Sequence, residues 1–124
     1  MNITITGGGT GGHLFPAIAV AQEFQRRDRT HAIQFIGSGR GIEAQVLPRA
    51  GYVLHTVDIK GFAGKGPLKK IESLISILPS IVRARRLLRA FRADIVIGFG
   101  GYISFPAVIA GRMLGLPVAL HEQN

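Results

Sequence analysis

Three features of the sequence predict a doubly wound α/β domain, a single parallel sheet with helices on both faces. Short runs of β-branched and apolar residues alternate with segments of helical periodicity, the pattern of right-handed βαβ units. The runs are almost continuously apolar, which suits strands buried on both faces. Eleven of the 17 glycines fall in three clusters, within 7–12, 37–41 and 98–101, each directly after such a run.

Taken in order, Asn2 to Thr6 reads as the first strand, followed by a glycine loop and a helix from about Leu14 to Arg27. Ala32 to Ile36 is the second strand, and a short helix after its glycine cluster ends near Pro48. Val53 to Val57 is the third strand. A loop holding Gly61, Gly64 and Gly66 leads into helical pattern from about Leu68 to Arg92, which Pro79 should kink or break. Asp94 to Ile97 is the fourth strand, Phe105 to Leu114 a helix, and Pro117 to Leu120 the fifth strand. The expected strand order is 3-2-1-4-5, a Rossmann-like sheet.

The 124 residues suit one domain, whose core buries roughly 65% of the unfolded chain's surface. With 47% hydrophobic residues the chain is not disordered, and without cysteine it is not a disulfide scaffold. Residues Met1 to Gln22 are uncharged, yet five glycines, Pro16 and His13 interrupt them and no basic segment precedes them, so neither a signal peptide nor a spanning helix is expected. The expectation is a soluble or peripheral protein of the cytosol. The net charge of +8 is localised: between Lys60 and Arg92 stand nine Lys and Arg against Glu72 alone, while the rest of the chain balances. A binding surface is expected there.

The run Gly7-Gly8-Gly9-Thr10-Gly11-Gly12-His13 lies between a strand and a helix. Glycine lets a ligand approach the backbone, and the helix start offers free N–H groups and the positive end of a dipole, a site for phosphate. The G-x-G-x-x-G spacing of Gly7, Gly9 and Gly12 is weak evidence alone. An NAD site wants an acid after strand 2, where Gly37-Ser38-Gly39-Arg40 stands instead; Arg40 leaves an NADP-type nucleotide module as an alternative. In order 3-2-1-4-5 the crevice lies outside the carboxyl ends of strands 1 and 4. The first glycine loop, Gly98 to Ser104, and the tail His121-Glu122-Gln123-Asn124 should meet there, bringing together the Tyr102 and Ser104 hydroxyls, imidazoles and a carboxylate suited to a sugar phosphate. At a helix start the dipole favours a neutral His13, the form a general base needs, although a cap or a loop hydrogen bond also accounts for it. Glu122 orients such a base, contacts a hydroxyl, or is a solvated acid. His31 and His55 read as ordinary strand-flank residues.

On a helical wheel Ile71, Leu74, Ile75, Leu78, Ile81 and Val82 form one stripe. Ala84, Leu87, Leu88 and Phe91 form a second, opposed by Arg83, Arg86, Arg89 and Arg92. An apolar ridge with Lys65, Lys69, Lys70 and these arginines suits an anionic bilayer surface. Two core-packed helices with a solvated basic face are the plainer alternative. Nucleic acid ranks below both, since Phe91 is the only aromatic in the helical pattern from Leu68 to Arg92 and no binding signature accompanies it.

Gly8-Gly9-Thr10-Gly11-Gly12-His13, Gly100-Gly101-Tyr102-Ile103-Ser104-Phe105-Pro106 and His121-Glu122-Gln123-Asn124, with Gly64-Lys65-Gly66 between, resemble the MurG family of bacterial N-acetylglucosaminyltransferases along the whole chain. Phe105 stands where that pattern has a small residue. The resemblance implies an inverting, two-domain GT-B glycosyltransferase that carries N-acetylglucosamine from UDP-GlcNAc to the muramyl 4-hydroxyl of lipid I in peptidoglycan synthesis, without a cofactor or obligatory metal. Residues 1–124 would be its N-terminal, acceptor-side domain, the C-terminal donor domain lying beyond them. It further implies His13 as base with Glu122 and Tyr102 in support. Thr10, Gly11, Gly12 and Asn124 would touch the donor, and the glycine loops, with Gly100, Gly101 and Ser104, would hold the acceptor diphosphate. Ile75, Leu78 and Val82, with Lys69, Lys70, Arg83, Arg86 and Arg89, would face the membrane at the cytoplasmic side of the inner membrane.

Overall fold

A computed structural model describes residues 1–59 and 66–122. Expectations for Lys60, Gly61, Gly64, Lys65, Gln123 and Asn124, and for the Lys69 side chain, fall outside the described residues. The elements are β1 (Asn2–Thr6), α1 (Gly11–Arg27), β2 (Ala32–Gly37), α2 (Glu43–Arg49), β3 (Val53–Thr56), α3 (Pro67–Ser76), α4 (Leu78–Phe91), β4 (Ile95–Gly98), a 3₁₀ turn (Tyr102–Ser104), α5 (Phe105–Met113) and β5 (Val118–Leu120). All five strands are parallel, in the expected order β3-β2-β1-β4-β5. The strands also end level: Thr6 lies opposite both Ile36 and Gly98, Gly98 opposite Leu120, and Gly37 opposite Thr56.

Side chains alternate across the pleat, so each sheet face has its own core. Ile3, Ile5, Phe35 and Ile97 pack against Leu14, Ala17 and Ala21 of α1 and Leu47 of α2. On the opposite face Ile36 and Val96 meet Ile81, Ala84 and Leu88 of α4 and Ala107 and Ala110 of α5. Thr4 and Thr6 are buried on that second face with their hydroxyls bonded, since Gln34 Nε2 donates to Thr4 Oγ1 at 3.0 Å and Thr6 Oγ1 donates to the Ile36 carbonyl at 2.9 Å. Burial of both threonines therefore leaves no unpaired hydroxyl.

Element ends fall within a residue or so of the sequence expectation, except at two helix boundaries. Helix α1 starts at Gly11 rather than Leu14, because Thr10 is extended (φ −135°, ψ 157°) and its carbonyl accepts the N–H groups of His13 and Leu14. The break expected near Pro79 falls at Ile77 and divides the basic segment into two helices; Pro79 sits in the first turn of α4, where a missing N–H breaks no helical bond. The stripe of Ala84 and Leu88 is buried as expected. Of the first stripe only Ile81 is buried, while Ile75, Leu78 and Val82 are 59, 54 and 49% exposed. Among the described residues no helix is long and apolar enough to cross a membrane.

Helix α4 ends at Arg92, which is left-handed (φ 52°, ψ 49°) and is the only non-glycine residue with positive φ among those described. The N–H of Ala93 then bonds back to the Leu88 carbonyl and aims the chain into β4. Arg92→Gly relieves the Cβ penalty of that conformation and is expected to add about 0.5–1 kcal/mol to the unfolding free energy in urea. A loss of stability instead would show that the Arg92 side chain contributes more than its backbone strain costs.

Candidate active site

Backbone pairing continues one residue past the strands. The Thr6 carbonyl accepts the Phe99 N–H at 2.8 Å, and the Gly98 carbonyl accepts the His121 N–H at 2.8 Å. The loop after β1, the turn after β4 and the tail of β5 therefore lie side by side. The first two also pack closely, since a Cβ on Gly7 would lie 3.0 Å from Phe99 Cβ and one on Gly101 would lie 3.4 Å from the Gly8 carbonyl oxygen. The expected convergence at the carboxyl edge is what the structure has.

His13 stands in the first turn of α1, half-buried, with Nδ1 3.0 Å from Thr10 Oγ1. The other edge of its ring lies over Gly100, where a Cβ would come 3.3 Å from Cδ2 and Nε2. Gly100 and Gly101 have φ of 92° and 80°, so the turn that makes room for the imidazole also needs glycine for its backbone. His13, Gly100, Gly101, Tyr102, His121 and Glu122 line a cleft of about 380 Å³, whose apolar wall is Phe105, Val108 and Leu120. Phe105, the departure noted in the motif, thus forms part of the rim and is 47% exposed. The His121 ring leans on Phe99, with centroids 5.2 Å apart. An adjoining hollow of about 340 Å³ shares His13, Gly101 and Tyr102 and extends past Thr10 to Ser38 and Ile59.

Some expected groups have other engagements. Ser104 is buried and its Oγ donates to the Gly101 carbonyl at 2.8 Å, so that hydroxyl holds the turn in shape. The Gly9 N–H, expected among the loop's anion donors, goes to a carboxylate of the protein itself at 3.0 Å, leaving the first N–H groups of α1, on Gly11 and Gly12, for a ligand. Glu122 is exposed at the mouth of the cleft. Among the described residues no group of three or more His, Asp or Glu is placed to hold a metal ion.

The model of the glycosyltransferase family 28 N-terminal domain matches residues 3–124. The chain belongs to glycosyltransferase family 28. Over all 124 residues it is 48% identical to the UDP-N-acetylglucosamine–N-acetylmuramyl-(pentapeptide) pyrophosphoryl-undecaprenol N-acetylglucosamine transferase of Geotalea uraniireducens, of which it covers 34%. It is 47% identical to the protein of that name from Geobacter sulfurreducens, again covering 34%. The crystal structure of Acinetobacter baumannii MurG superimposes with a TM-score of 0.84 at 35% identity, over 99% of this chain and 35% of that one. The chain spans about a third of the length of the curated relatives it matches. The MurG resemblance read from the motifs is borne out.

The carboxylate that meets Gly9 in this family 28 domain is that of Glu43, which in the sequence is one of the acids that balance the charge outside the basic segment. It is fully buried at the start of α2. Besides Gly9 N–H it accepts the Ser38 hydroxyl at 2.9 Å and the Ser38 N–H at 3.3 Å, which ties the loop after β1 to the turn after β2. A Cβ at Gly8 would lie 2.8 Å from Glu43 Cδ, and one at Gly41 would lie 2.1 Å from an Oε, so two glycines exist partly to admit this side chain. The available signal was an acid directly behind a Gly-x-Gly turn, and nothing local said that it points inward. Removing the carboxylate orphans three buried or half-buried donors. Glu43→Gln is therefore expected to cost about 1–2 kcal/mol and Glu43→Ala about 3 kcal/mol in urea unfolding. Wild-type stability in Glu43→Ala would contradict the tie.

Proposed function

We propose that residues 1–124 form the acceptor-side half of a membrane-surface GT-B transferase that moves N-acetylglucosamine from UDP-GlcNAc to the 4-hydroxyl of undecaprenyl-pyrophosphoryl-N-acetylmuramyl-pentapeptide. The single observation that carries this reading is His13. Its imidazole is anchored by Thr10, seated on a glycine floor, and open to the one cleft where all three motif segments meet. The names of the relatives supply the donor and acceptor.

The chemistry assigns one tautomer to His13. Nδ1 carries the proton and donates to Thr10 Oγ1, which leaves the Nε2 lone pair for the acceptor hydroxyl. As Nε2 takes that proton, O4 attacks the anomeric carbon from the face opposite the nucleotide, and the carbon–oxygen bond to the UDP diphosphate breaks with its electron pair leaving on the phosphate. The configuration inverts in one displacement. The Gly11 and Gly12 N–H groups at the positive end of α1 meet the charge that develops on the leaving diphosphate. Glu122 and Tyr102, on the same cleft, stabilise the imidazolium or position the acceptor sugar. Asn124 belongs to the same reading as a donor contact.

The membrane part rests on α3 and α4. Leu68, Ile71, Leu74, Ile75, Leu78 and Val82 are all about half or more exposed, and singly scattered surface apolar residues do not form such a stripe. Lys70, Arg83, Arg86 and Arg89 are exposed beside it. Apolar burial plus attraction of about 1 kcal/mol per basic residue suits an anionic leaflet, where a polyprenyl-linked acceptor resides.

His13→Ala in the full-length protein is expected to lower kcat about 10²- to 10⁴-fold with little change in KM for UDP-GlcNAc; near-wild-type turnover would remove His13 from the chemistry. Ile75→Glu with Leu78→Glu is expected to cut co-sedimentation with anionic vesicles at least about tenfold while the far-UV circular dichroism stays unchanged. Undiminished sedimentation would refute the apolar ridge.

A further inference from the structure

The glycine cluster after β2 has no part in the chemistry above, yet it forms one wall of a separate cleft of about 390 Å³. Arg40 and Gly39 stand on that wall, with Thr56, Asp58 and Ile59 opposite. Ser38 and Ile59 line both this cleft and the hollow beside His13, so the two adjoin along the carboxyl edge of the sheet. We propose that this outer cleft is the subsite for the acceptor's peptide, with the Arg40 guanidinium receiving the peptide's terminal carboxylate. The proposal rests on the transferase reading and deepens it.

Four observations support it. First, Arg40 is presented by a fixed turn: Glu43 holds Ser38, whose Oγ accepts the Arg40 N–H at 3.3 Å. Second, the opposite wall is held from α4, whose Arg83 Nε donates to the Thr56 carbonyl at 2.6 Å and whose Ser80 hydroxyl donates to the Asp58 carbonyl. Third, Arg40 faces Asp58 across the gap at 3.6 Å, and both side chains are mostly exposed, so the pair exchanges readily for a ligand. Arg40 is the one cation among the described lining residues, so once Asp58 turns aside the cleft offers a single positive charge, which matches a carboxylate on an amide-rich chain better than a pyrophosphate or a nucleotide 2′-phosphate. Thr56 and the Gly39 backbone supply uncharged hydrogen-bonding groups for those amides. Fourth, the reach is right. From β1 to β3 is two strand spacings, about 10 Å, and an extended pentapeptide spans about 17 Å. The peptide leaves muramic acid through its 3-O-lactyl group, next to the reacting 4-hydroxyl, whereas the pyrophosphate leaves from the anomeric carbon. The two appendages therefore depart in different directions.

The test uses the full-length protein, UDP-GlcNAc and soluble muramyl-pyrophosphoryl acceptors bearing the pentapeptide, the pentapeptide with a terminal carboxamide, or one residue only. The ratio of kcat/KM for the pentapeptide acceptor over the truncated one should fall about five- to tenfold in Arg40→Ala, through KM, and recover in part in Arg40→Lys. The carboxamide acceptor should show the same loss on wild type and no additional loss on Arg40→Ala. An unchanged ratio, or equal losses on long and short acceptors, overturns the subsite while leaving the transferase standing. Wild-type protein that transfers to none of the acceptors overturns the transferase reading and the subsite with it. Arg40-dependent binding of NADPH in a titration overturns the subsite in favour of a nucleotide.

Discussion

A parallel sheet sends the carboxyl end of every strand to the same side, and this constraint decides where chemistry can gather in the chain. Because β1 and β4 are neighbours whose connections leave to opposite faces, the loops after them are not covered by either helix layer and stand open over a crevice. Residues as distant in sequence as His13, Tyr102 and Glu122 share one cleft for that reason alone. The hydrogen bonds from Phe99 N–H to Thr6 and from His121 N–H to Gly98 extend the ladder beyond the strands and fix the three segments in register.

Within that frame the glycines make room rather than confer looseness. Gly8 and Gly41 admit the buried Glu43 carboxylate, and Gly100 admits the His13 ring. Glu43 then turns two glycine-rich segments into one braced unit by collecting donors from both. A buried carboxylate is costly unless its lone pairs are filled, and here backbone and hydroxyl donors fill them. The same bracing positions Thr10 as the extended residue before α1 and Arg40 as the exposed cation of the neighbouring turn.

The α3–α4 segment divides its work by face. Ala84 and Leu88 seal the sheet, while Ile75, Leu78 and Val82 remain in solvent next to exposed arginines. Through Ser80 and Arg83, α4 also grips the carbonyls that end β3. The exposed apolar ridge and one wall of the outer cleft are consequently carried by the same helix.

Sequence alone determined the strand order, the meeting of three motif segments and the family, because strand–helix alternation and clustered glycines are local signals that survive without coordinates. It placed His13 at a helix start and a break in the basic segment near Pro79. Three matters belonged to tertiary structure. The inward aim of Glu43 depends on space opened by Gly8 and Gly41, far apart in sequence from each other. The exposure of Ile75, Leu78 and Val82, which the family resemblance implies, depends on which stripe of a two-stripe segment the sheet accepts, and periodicity by itself does not separate an exposed ridge from core. The pairing of Arg40 with Asp58 across a cleft arises from strand neighbours, β2 and β3, whose side-by-side ends bring two loop charges within 3.6 Å, a distance that no spacing along the chain encodes.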